Sequence, residues 1–189
     1  DQQEVRVRVA VSYVSVDAAR DNLSREQGDG VDLDGVRRAA HESWRDALGR
    51  IAIRGGEDAD RLTLYTMLYH ALLAPTTFSD ADGRYFGMDG AVHDAGARTR
   101  YTTFSGWDVY RSEIPLLTML FPERAGDMME SLVANARESG WLPRWSVAAG
   151  KTDVMVGDPA DAMLAGAYAF GARDFDRAGA LAAMIKGAT

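Results

Sequence analysis

The sequence predicts a mainly α-helical protein built from helix pairs that are joined by polar loops. From residue 58 onward, apolar residues recur at helical spacing, and the helical segments end near a glycine or a proline. Each pair occupies roughly 30 to 35 residues, but successive pairs share no close sequence repeat, which disfavours a tetratricopeptide-type array. Helix pairs of this kind suit either a solenoid or a closed α/α toroid.

Composition narrows the class of protein further. Of the 189 residues, 47% are hydrophobic, which suffices for one ordinary domain core. The net charge of −7, with both signs interleaved along the chain, argues against binding to nucleic acid or to an anionic membrane. No apolar run approaches about 20 residues, so we expect no membrane span, and no signal peptide is visible in this sequence. The absence of cysteine excludes disulfides and thiolate metal sites.

The first 16 residues predict the one convincing β-strand. Residues 4–16 alternate between polar side chains and an apolar face that is formed by Val5, Val7, Val9, Val11 and Tyr13. A lone strand cannot pair its backbone groups. We therefore expect its sheet partners to lie outside these 189 residues, in a larger polypeptide of which this chain is a piece.

Residues 17–57 are predicted to form a helical linker. A short helix runs to about Glu26 with Asp17 as its cap, and a second helix runs from about Leu33 to a stop near Gly49. The helices predicted in residues 58–189 span 58–73, 106–120 with a bend at Pro115, 122–139 and 159–170, and a last helix is capped by Asp174 and Asp176 and runs to Ile185.

Two loops carry a mixture of side chains suited to binding. Residues 101–111 combine four aromatic rings with three hydroxyls, a carboxylate and a guanidinium. An indole face beside a carboxylate is the mixture that a sugar site needs, although a loop followed by an amphipathic helix would also explain it. Residues 141–158 are too long for a simple turn, and Trp141 and Trp145 within them serve either as core plugs or as sugar platforms.

The polar loop that begins Asp80-Ala-Asp-Gly83 invites comparison with a calcium loop. The spacing of an EF-hand fails, because no glutamate stands at the twelfth position and the glycine comes too early. We therefore predict a tight-turn loop here rather than a cation site.

Five segments in this order resemble glycoside hydrolase family 92, the calcium-dependent exo-acting α-mannosidases. They are Tyr65-Thr-Met-Leu-Tyr-His-Ala-Leu-Leu-Ala-Pro75, Phe78-Ser-Asp-Ala-Asp-Gly-Arg-Tyr85, Phe104-Ser-Gly-Trp-Asp-Val-Tyr-Arg111, Gly140-Trp-Leu-Pro-Arg-Trp145 and Val154-Met-Val-Gly-Asp158. The resemblance implies a β-sandwich, a helical linker and an (α/α)6 barrel. Residues 1–16 would then be the last strand of the sandwich, 17–57 the linker and 58–189 the first part of the barrel, a partial (α/α)6 toroid.

The resemblance also implies a function. It predicts an inverting glycosidase that releases terminal mannose from glycans, with Trp107 as a wall of the mannose subsite and Asp108 bonded to its hydroxyls. Arg111 is expected to pair with a carboxylate instead of contacting sugar. Calcium is the implied cofactor, but its ligands and the base carboxylates are expected mostly in the rest of the parent polypeptide, so no metal ligand is assigned here and this segment alone should be inactive. The implied location is secreted, cell-surface or periplasmic, in a bacterium.

Lys151 departs from the family pattern. It stands just before Thr152, at the position where the resemblance implies a general-acid glutamate, and a lysine is a poor acid near neutral pH unless burial lowers its pKa. Some family members lack this glutamate and cleave mannose from phosphate, a chemistry that a cationic side chain would assist. The alternatives are an ordinary α-mannosidase, a mannose-binding protein that has lost catalysis with Lys151 as a plain loop residue, and a purely structural helical repeat protein.

Overall fold

The computed structural model describes residues 5–28, 30–152 and 154–189, and these residues are mainly helical, as the sequence predicts. The helices among them are α1 (Val16–Gln27), α2 (Leu33–Leu48), α3 (Asp58–Ala71), α4 (Gly106–Val109), α5 (Glu113–Leu120), α6 (Pro122–Ser139), α7 (Pro159–Phe170) and α8 (Arg177–Ala188). The strands are β1 (Thr76–Thr77), β2 (Arg84–Phe86), β3 (Val92–Asp94), β4 (Tyr101–Thr102), β5 (Phe104–Ser105), β6 (Trp145–Val147) and β7 (Gly150–Thr152). They form antiparallel sheets in the orders β1-β4, β2-β3 and β5-β6-β7.

The N-terminal segment differs from the predicted strand. Residues 5–15 belong to no sheet within the described part of the chain, and their apolar face is open to solvent, with Val5 81% exposed. The physical reason is that no strand of the described residues runs beside this segment, so its backbone has no ladder partner. Residues 1–4 of the predicted strand lie outside the described residues. Pairing with sequence beyond this chain stays a prediction, as does the division at residues 16 and 57.

The first helix begins earlier than the sequence predicts. The N-cap of α1 is Ser15, whose hydroxyl accepts a hydrogen bond from the Ala18 amide at 3.0 Å. Asp17, the predicted cap, lies instead in the first turn and pairs with Arg20 at 2.7 Å. Serine and aspartate both cap helices well, so local chemistry alone did not decide between them.

Asp80 ties the N-terminal segment to the rest of the molecule. Its carboxylate accepts hydrogen bonds from the Ser12 hydroxyl at 2.6 Å and from the Asn22 side-chain amide at 2.8 Å. The rings of Tyr13 and Phe78 meet beside it, with their centroids 4.8 Å apart. The polar loop therefore uses Asp80 as an anchor for protein donors, and the tight-turn interpretation of this loop fits the β2–β3 hairpin that follows.

The helix predicted over residues 106–120 is two helices. α4 ends at Val109, and α5 starts at Glu113 after a break of three residues. Pro115 lies in the first turn of α5, where an amide has no helical partner, so this proline does not bend a continuous helix. The predicted bend at Pro115 is therefore wrong, and the change of direction occurs just before Glu113.

The core lies between the helices that follow this break. α5 packs against α6 and α7, and α6 also contacts α8. Met129 and Leu132 of α6 and Met163 of α7 are fully buried at their interface. α6 ends at Gly140, whose φ of 85° is the left-handed conformation of a helix C-cap, as the sequence predicts.

A buried ion pair attaches the hairpin loops to α6. The guanidinium of Arg100 lies 3.2 Å from the carboxylate of Glu138, and each side chain is only 5% exposed. Arg100 also donates to the backbone carbonyl of Ser131 and to Asn135 Oδ1, at 2.5 and 2.6 Å. The hydroxyl of Tyr85, on β2, donates to Glu138 at 2.8 Å. This cluster fixes the loops that precede β5 against the helical core.

Within the described ranges, none of the helices is both long enough and apolar enough to span a membrane.

Candidate functional site

A three-stranded sheet brings the two candidate loops together. β5 pairs with β6 so that Phe104 lies opposite Ser146 and Ser105 opposite Trp145. β6 then pairs with β7, which sets Ser146 opposite Lys151 and Trp145 opposite Thr152. Residues 104–105, which lead directly into α4, therefore meet the 141–158 loop through backbone hydrogen bonds. The sequence did not predict this sheet, because its strands are only two or three residues long.

Gly106 allows this close approach. A Cβ at this position would lie 2.6 Å from the backbone oxygen of Arg144 and 2.7 Å from Cγ of Pro159. Both distances are too short for real carbon contacts, so only glycine fits between these segments. The start of α4 is consequently pressed against the residues that flank β6 and α7.

A hydrogen-bond relay orients Asp108. The indole N–H of Trp145 donates to the hydroxyl oxygen of Ser105 at 2.6 Å, and this hydroxyl in turn donates to Oδ2 of Asp108. Oδ1 of Asp108 makes no hydrogen bond to another residue that the structure describes. One carboxylate oxygen is thus held by the protein while the other is free to accept bonds from a ligand hydroxyl. Trp145 is half-buried, and its indole N–H serves this relay.

Trp107 precedes Asp108 and is 42% exposed. The guanidinium of Arg111 lies 4.5 Å from the centre of its indole, and its Nε–H donates to the Trp107 carbonyl at 3.4 Å. The expectation that Arg111 pairs with a carboxylate is wrong for the described residues, because a spacing of four residues brings the guanidinium over the indole instead. The guanidinium of Arg111 therefore covers one face of the indole, so the sugar contact predicted for Trp107 has to use the exposed remainder of the ring.

Glu113 is a titratable group beside this site that the sequence did not single out. Its Oε1 is buried and has no hydrogen-bond partner in the described part of the chain. Burial raises the pKa of Glu113 to about 7, and the negative charge of Asp108 adds to the effect. The only signal in the sequence was an acidic residue directly before the apolar run of α5, a place where a carboxylate is normally a simple helix-start residue.

Lys151 opens onto a different surface from Asp108. In an antiparallel ladder, residues directly opposite each other share a face, so Lys151 shares its face with Ser146 and not with Ser105 or Trp145. Its exposed side chain lines a depression of about 410 Å³ together with Trp141, Arg144, Asp158 and Asp161. The structure therefore brings Trp107 and Asp108 together on α4 and sets Lys151 on the opposite face of the hairpin. Its assignment to the general-acid position stays a prediction.

Metal binding has no support among the described residues. No group of three or more histidine or acidic side chains in residues 5–28, 30–152 and 154–189 is arranged to hold a metal ion. The described residues therefore offer no carboxylate or histidine cluster that would hold calcium.

Comparisons with known proteins identify the family. The model of the Glycosyl hydrolase family 92 catalytic domain matches residues 18–189. A family GH92 α-mannosidase of Bacteroides thetaiotaomicron, solved in complex with mannoimidazole, is 33% identical over 94% of this chain and 23% of its own, with a TM-score of 0.88. A GH92 inverting mannosidase of Bacteroides thetaiotaomicron VPI-5482 is also 33% identical, over 92% of this chain and 24% of its own, with a TM-score of 0.84.

A more distant relative is an uncharacterized secreted glycosidase of Arthroderma benhamiae. It is 23% identical over 167 residues, which are 87% of this chain and 17% of that protein. The chain thus spans about a quarter or less of the length of these relatives. The family match extends over almost all of the helical part, and the solved relatives share its fold. The chain belongs to glycosyl hydrolase family 92.

Proposed function

We propose that the protein containing this chain is an exo-acting α-mannosidase, and that α4 supplies part of its subsite for terminal mannose. The observation that carries this proposal is the oriented carboxylate of Asp108, whose Oδ1 has no hydrogen-bond partner among the described residues and which directly follows the exposed Trp107 in the chain. A carboxylate held in one rotamer accepts hydrogen bonds from sugar hydroxyls, and an indole edge packs against the apolar side of a pyranose. Membership of family 92, with α-mannosidases among the solved relatives, favours mannose as the sugar.

The proposed mechanism is inversion of the anomeric centre. One carboxylic acid protonates the leaving oxygen while a carboxylate on the other side of the sugar activates water. The inverting mannosidase among the relatives supports this choice. The general base and the ligands of a calcium cofactor are proposed to lie in residues outside the described ranges. The role of Asp108 is to bind and orient the mannose.

Lys151 supports a second candidate substrate, a mannosyl-phosphate diester. Lys151 and Arg144 line the same depression as Asp158 and Asp161, so its charges balance, and the support for this candidate is the cationic side chain of Lys151 at the general-acid position that the resemblance implies. Phosphate leaves without being protonated, which removes the need for an acidic side chain at residue 151. A third possibility is a mannose-binding protein of the same fold that has lost catalysis, in which case Lys151 is simply a loop residue.

The substrate partner is a mannose-containing glycan, and the proposed location is secreted, cell-surface or periplasmic in a bacterium. The secreted fungal glycosidase among the relatives supports export.

The test measures mannose release by the intact protein, with calcium added, from an α-mannobioside and from a mannosyl-1-phospho-sugar. Wild type is compared with Asp108→Asn, Lys151→Glu and, as a control on the exposed surface of α2, Arg37→Glu. We expect Asp108→Asn to lower activity on both substrates at least about tenfold, since it removes a charged hydrogen-bond acceptor.

The substrate pattern separates the candidates. Release from the mannobioside by wild type supports the ordinary mannosidase. Release from the phosphodiester alone, with mannobioside cleavage gained by Lys151→Glu, supports the phosphate chemistry. Mannose binding without turnover of either substrate replaces the enzyme with the binding protein. An Asp108→Asn variant as active as wild type overturns the assignment of the subsite.

A further inference from the structure

A cleft opens between the C-terminal part of α2, residues 72–77 and the junction of α5 with α6. Its volume of about 620 Å³ lies within the usual range for small-molecule sites. Leu72, Leu117 and Met128 contribute apolar surface to its lining, and the last two belong to the buried core. The cleft reaches the end of α5 that is opposite to α4, and neither Trp107 nor Asp108 lines it.

Trp44 supplies an aromatic wall of this cleft. It is half-buried on α2, and its ring centre lies 4.6 Å from that of Tyr69 on α3. The contact between the two rings holds the indole in place, so its remaining surface offers a fixed apolar contact to a ligand.

Two guanidinium groups that line the cleft lie against one aromatic ring. The guanidinium carbon of Arg50 is 4.8 Å from the centre of the Phe121 ring, and that of Arg124 is 5.3 Å from it. Neither arginine forms an ion pair with a residue in the described ranges, although the chain as a whole has a net charge of −7. Two positive charges beside the same ring repel each other, and an anion bound between them would remove that repulsion.

Both arginines keep hydrogen-bond donors for a ligand. Arg50 Nη1 donates to the carbonyl of Leu120 at 2.9 Å, which fixes this side chain while its other N–H groups stay available. Arg124 makes no hydrogen bond to the part of the chain that the structure describes. It belongs to the first turn of α6, whose N-cap residue Phe121 gives the helix no side-chain cap. The positive end of the helix dipole therefore adds to the two charges.

Tyr101 adds a hydroxyl donor to the same cleft. The residue is only 7% exposed, and its hydroxyl has no hydrogen-bond partner among the described residues. Burial raises the pKa of Tyr101, an effect that the nearby charge of Arg124 opposes, so the phenol is protonated at neutral pH and can donate. A largely buried donor without a partner gains free energy when a ligand supplies an acceptor.

The balance of charge and apolar surface defines the ligand. Among the described residues, Asp46 is the only acidic side chain that lines the cleft, so the two guanidinium groups leave one net positive charge. This balance favours a monoanion over a cation or a highly charged anion. The apolar lining favours a ligand whose remaining part is apolar, because a hydrated inorganic ion would leave that lining in contact with water.

We propose that this cleft binds a small amphipathic anion, which is an apolar body that carries one carboxylate or sulfonate group. Arg50, Arg124 and the hydroxyl of Tyr101 hold the anionic group, and Trp44 and the apolar lining contact the body. The site is independent of mannose release, so it can stand or fall without affecting the proposed function.

Fluorescence titration of the intact protein tests the proposal with two dyes, 8-anilinonaphthalene-1-sulfonate and N-phenyl-1-naphthylamine, which differ only in the sulfonate group. We expect wild type to bind the sulfonate dye at least about fivefold more tightly. Arg50→Gln and Arg124→Gln should each weaken the sulfonate dye about fivefold and change the neutral dye less than about twofold, and Tyr101→Phe should weaken the sulfonate dye about threefold. Arg124→Lys keeps the charge and should lose less affinity than Arg124→Gln. Arg37→Gln, on the exposed surface of α2, is the matched control, and circular dichroism verifies that each variant folds.

Three results would overturn the amphipathic-anion site. They are equal affinity of wild type for the two dyes, equal weakening of both dyes in the arginine variants, and no effect of these variants. Failure of the sulfonate dye to bind would also overturn it, since other parts of the intact polypeptide would then fill the cleft.

Displacement of the bound sulfonate dye distinguishes the two parts of the ligand. Dodecanoate should displace it at concentrations at least about tenfold lower than those of 1-dodecanol or of sulfate. Sulfate that competes as well as dodecanoate would replace the proposal with an inorganic-anion site, and 1-dodecanol that competes equally would replace it with a purely apolar cavity.

Discussion

Replacing Glu113 with glutamine tests whether this buried carboxyl group makes the stability of the protein depend on pH near neutrality. Burial raises its pKa from 4.5 to about 7. Between these values the folded protein binds more protons than the unfolded chain, so the free energy of unfolding decreases as the pH rises. The stabilisation is fully present below about pH 4.5 and is lost above about pH 7.

The loss of stability follows from the difference between the pKa of Glu113 in the folded protein and in the unfolded chain. This pKa difference lowers the free energy of unfolding by about 3.4 kcal/mol over the whole titration, and about 2.5 kcal/mol of that loss falls between about pH 5 and pH 8. Water reaches part of the side chain, so we discount this figure by roughly half and expect about 1 kcal/mol. Glutamine has nearly the same shape and does not titrate, so the variant should lack this loss.

Urea unfolding followed by tryptophan fluorescence at the two pH values provides the measurement. Between about pH 5 and pH 8, the free energy of unfolding of wild type should fall by about 1 kcal/mol more than that of Glu113→Gln. Glu123→Gln, on the exposed first turn of α6, is the control and should follow wild type. Parallel profiles for wild type and Glu113→Gln would refute the reasoning, because the carboxyl group would then titrate alike in the folded and unfolded states.

Three further substitutions probe the framework of the site. Arg100→Met leaves the buried carboxylate of Glu138 without its cation and should lower the free energy of unfolding by about 3 to 5 kcal/mol. Arg61→Met, which breaks an exposed ion pair, should cost far less. Similar losses for the two variants in urea unfolding would contradict the role of the buried pair. Gly106→Ala forces a Cβ to within 2.6 Å of a backbone oxygen and should cost about 1 to 3 kcal/mol, whereas Gly166→Ala, which meets open space in α7, should cost nothing. Ser105→Ala breaks the relay to the subsite carboxylate and should weaken mannoside binding roughly fivefold in calorimetry; unchanged affinity would show that the relay does not matter.

The parts of the fold that the sequence predicts well are those with local causes. Pro122 and Gly140 bound α6, and Asp158-Pro159 starts α7, because capping and the backbone limits of proline and glycine act within one helical turn. The break between α4 and α5 was missed, since the apolar pattern continues across it. The β5-β6-β7 sheet was missed because it depends on pairing between residues 40 positions apart, such as Ser105 and Trp145.

In the candidate site, too, the sequence predicts the features with local causes and misses those that depend on tertiary contacts. The local composition drew attention to residues 101–111, the resemblance supplied the roles of Trp107 and Asp108, which stay predictions, and α4 holds the two residues side by side. The relay through Ser105 required the tertiary pairing of β5 with β6. The unusual state of Glu113 required the packing of α5 against α6 and α7, which no short stretch of sequence specifies. The resemblance supplied the assignment of Lys151, and its role stays a prediction.

The alternation of the β6–β7 hairpin limits how this loop can change. Trp145 and Thr152 project from one side of it and Ser146 and Lys151 from the other. An insertion or deletion of one residue within β6 would turn the indole of Trp145 away from Ser105, and one within β7 would turn Lys151 to the side that faces Ser105. Changes of two residues would keep both sides in place. Insertions or deletions inside these strands should therefore be tolerated when they add or remove an even number of residues. Point substitutions can alter the depression that Lys151 lines without disturbing the carboxylate of Asp108.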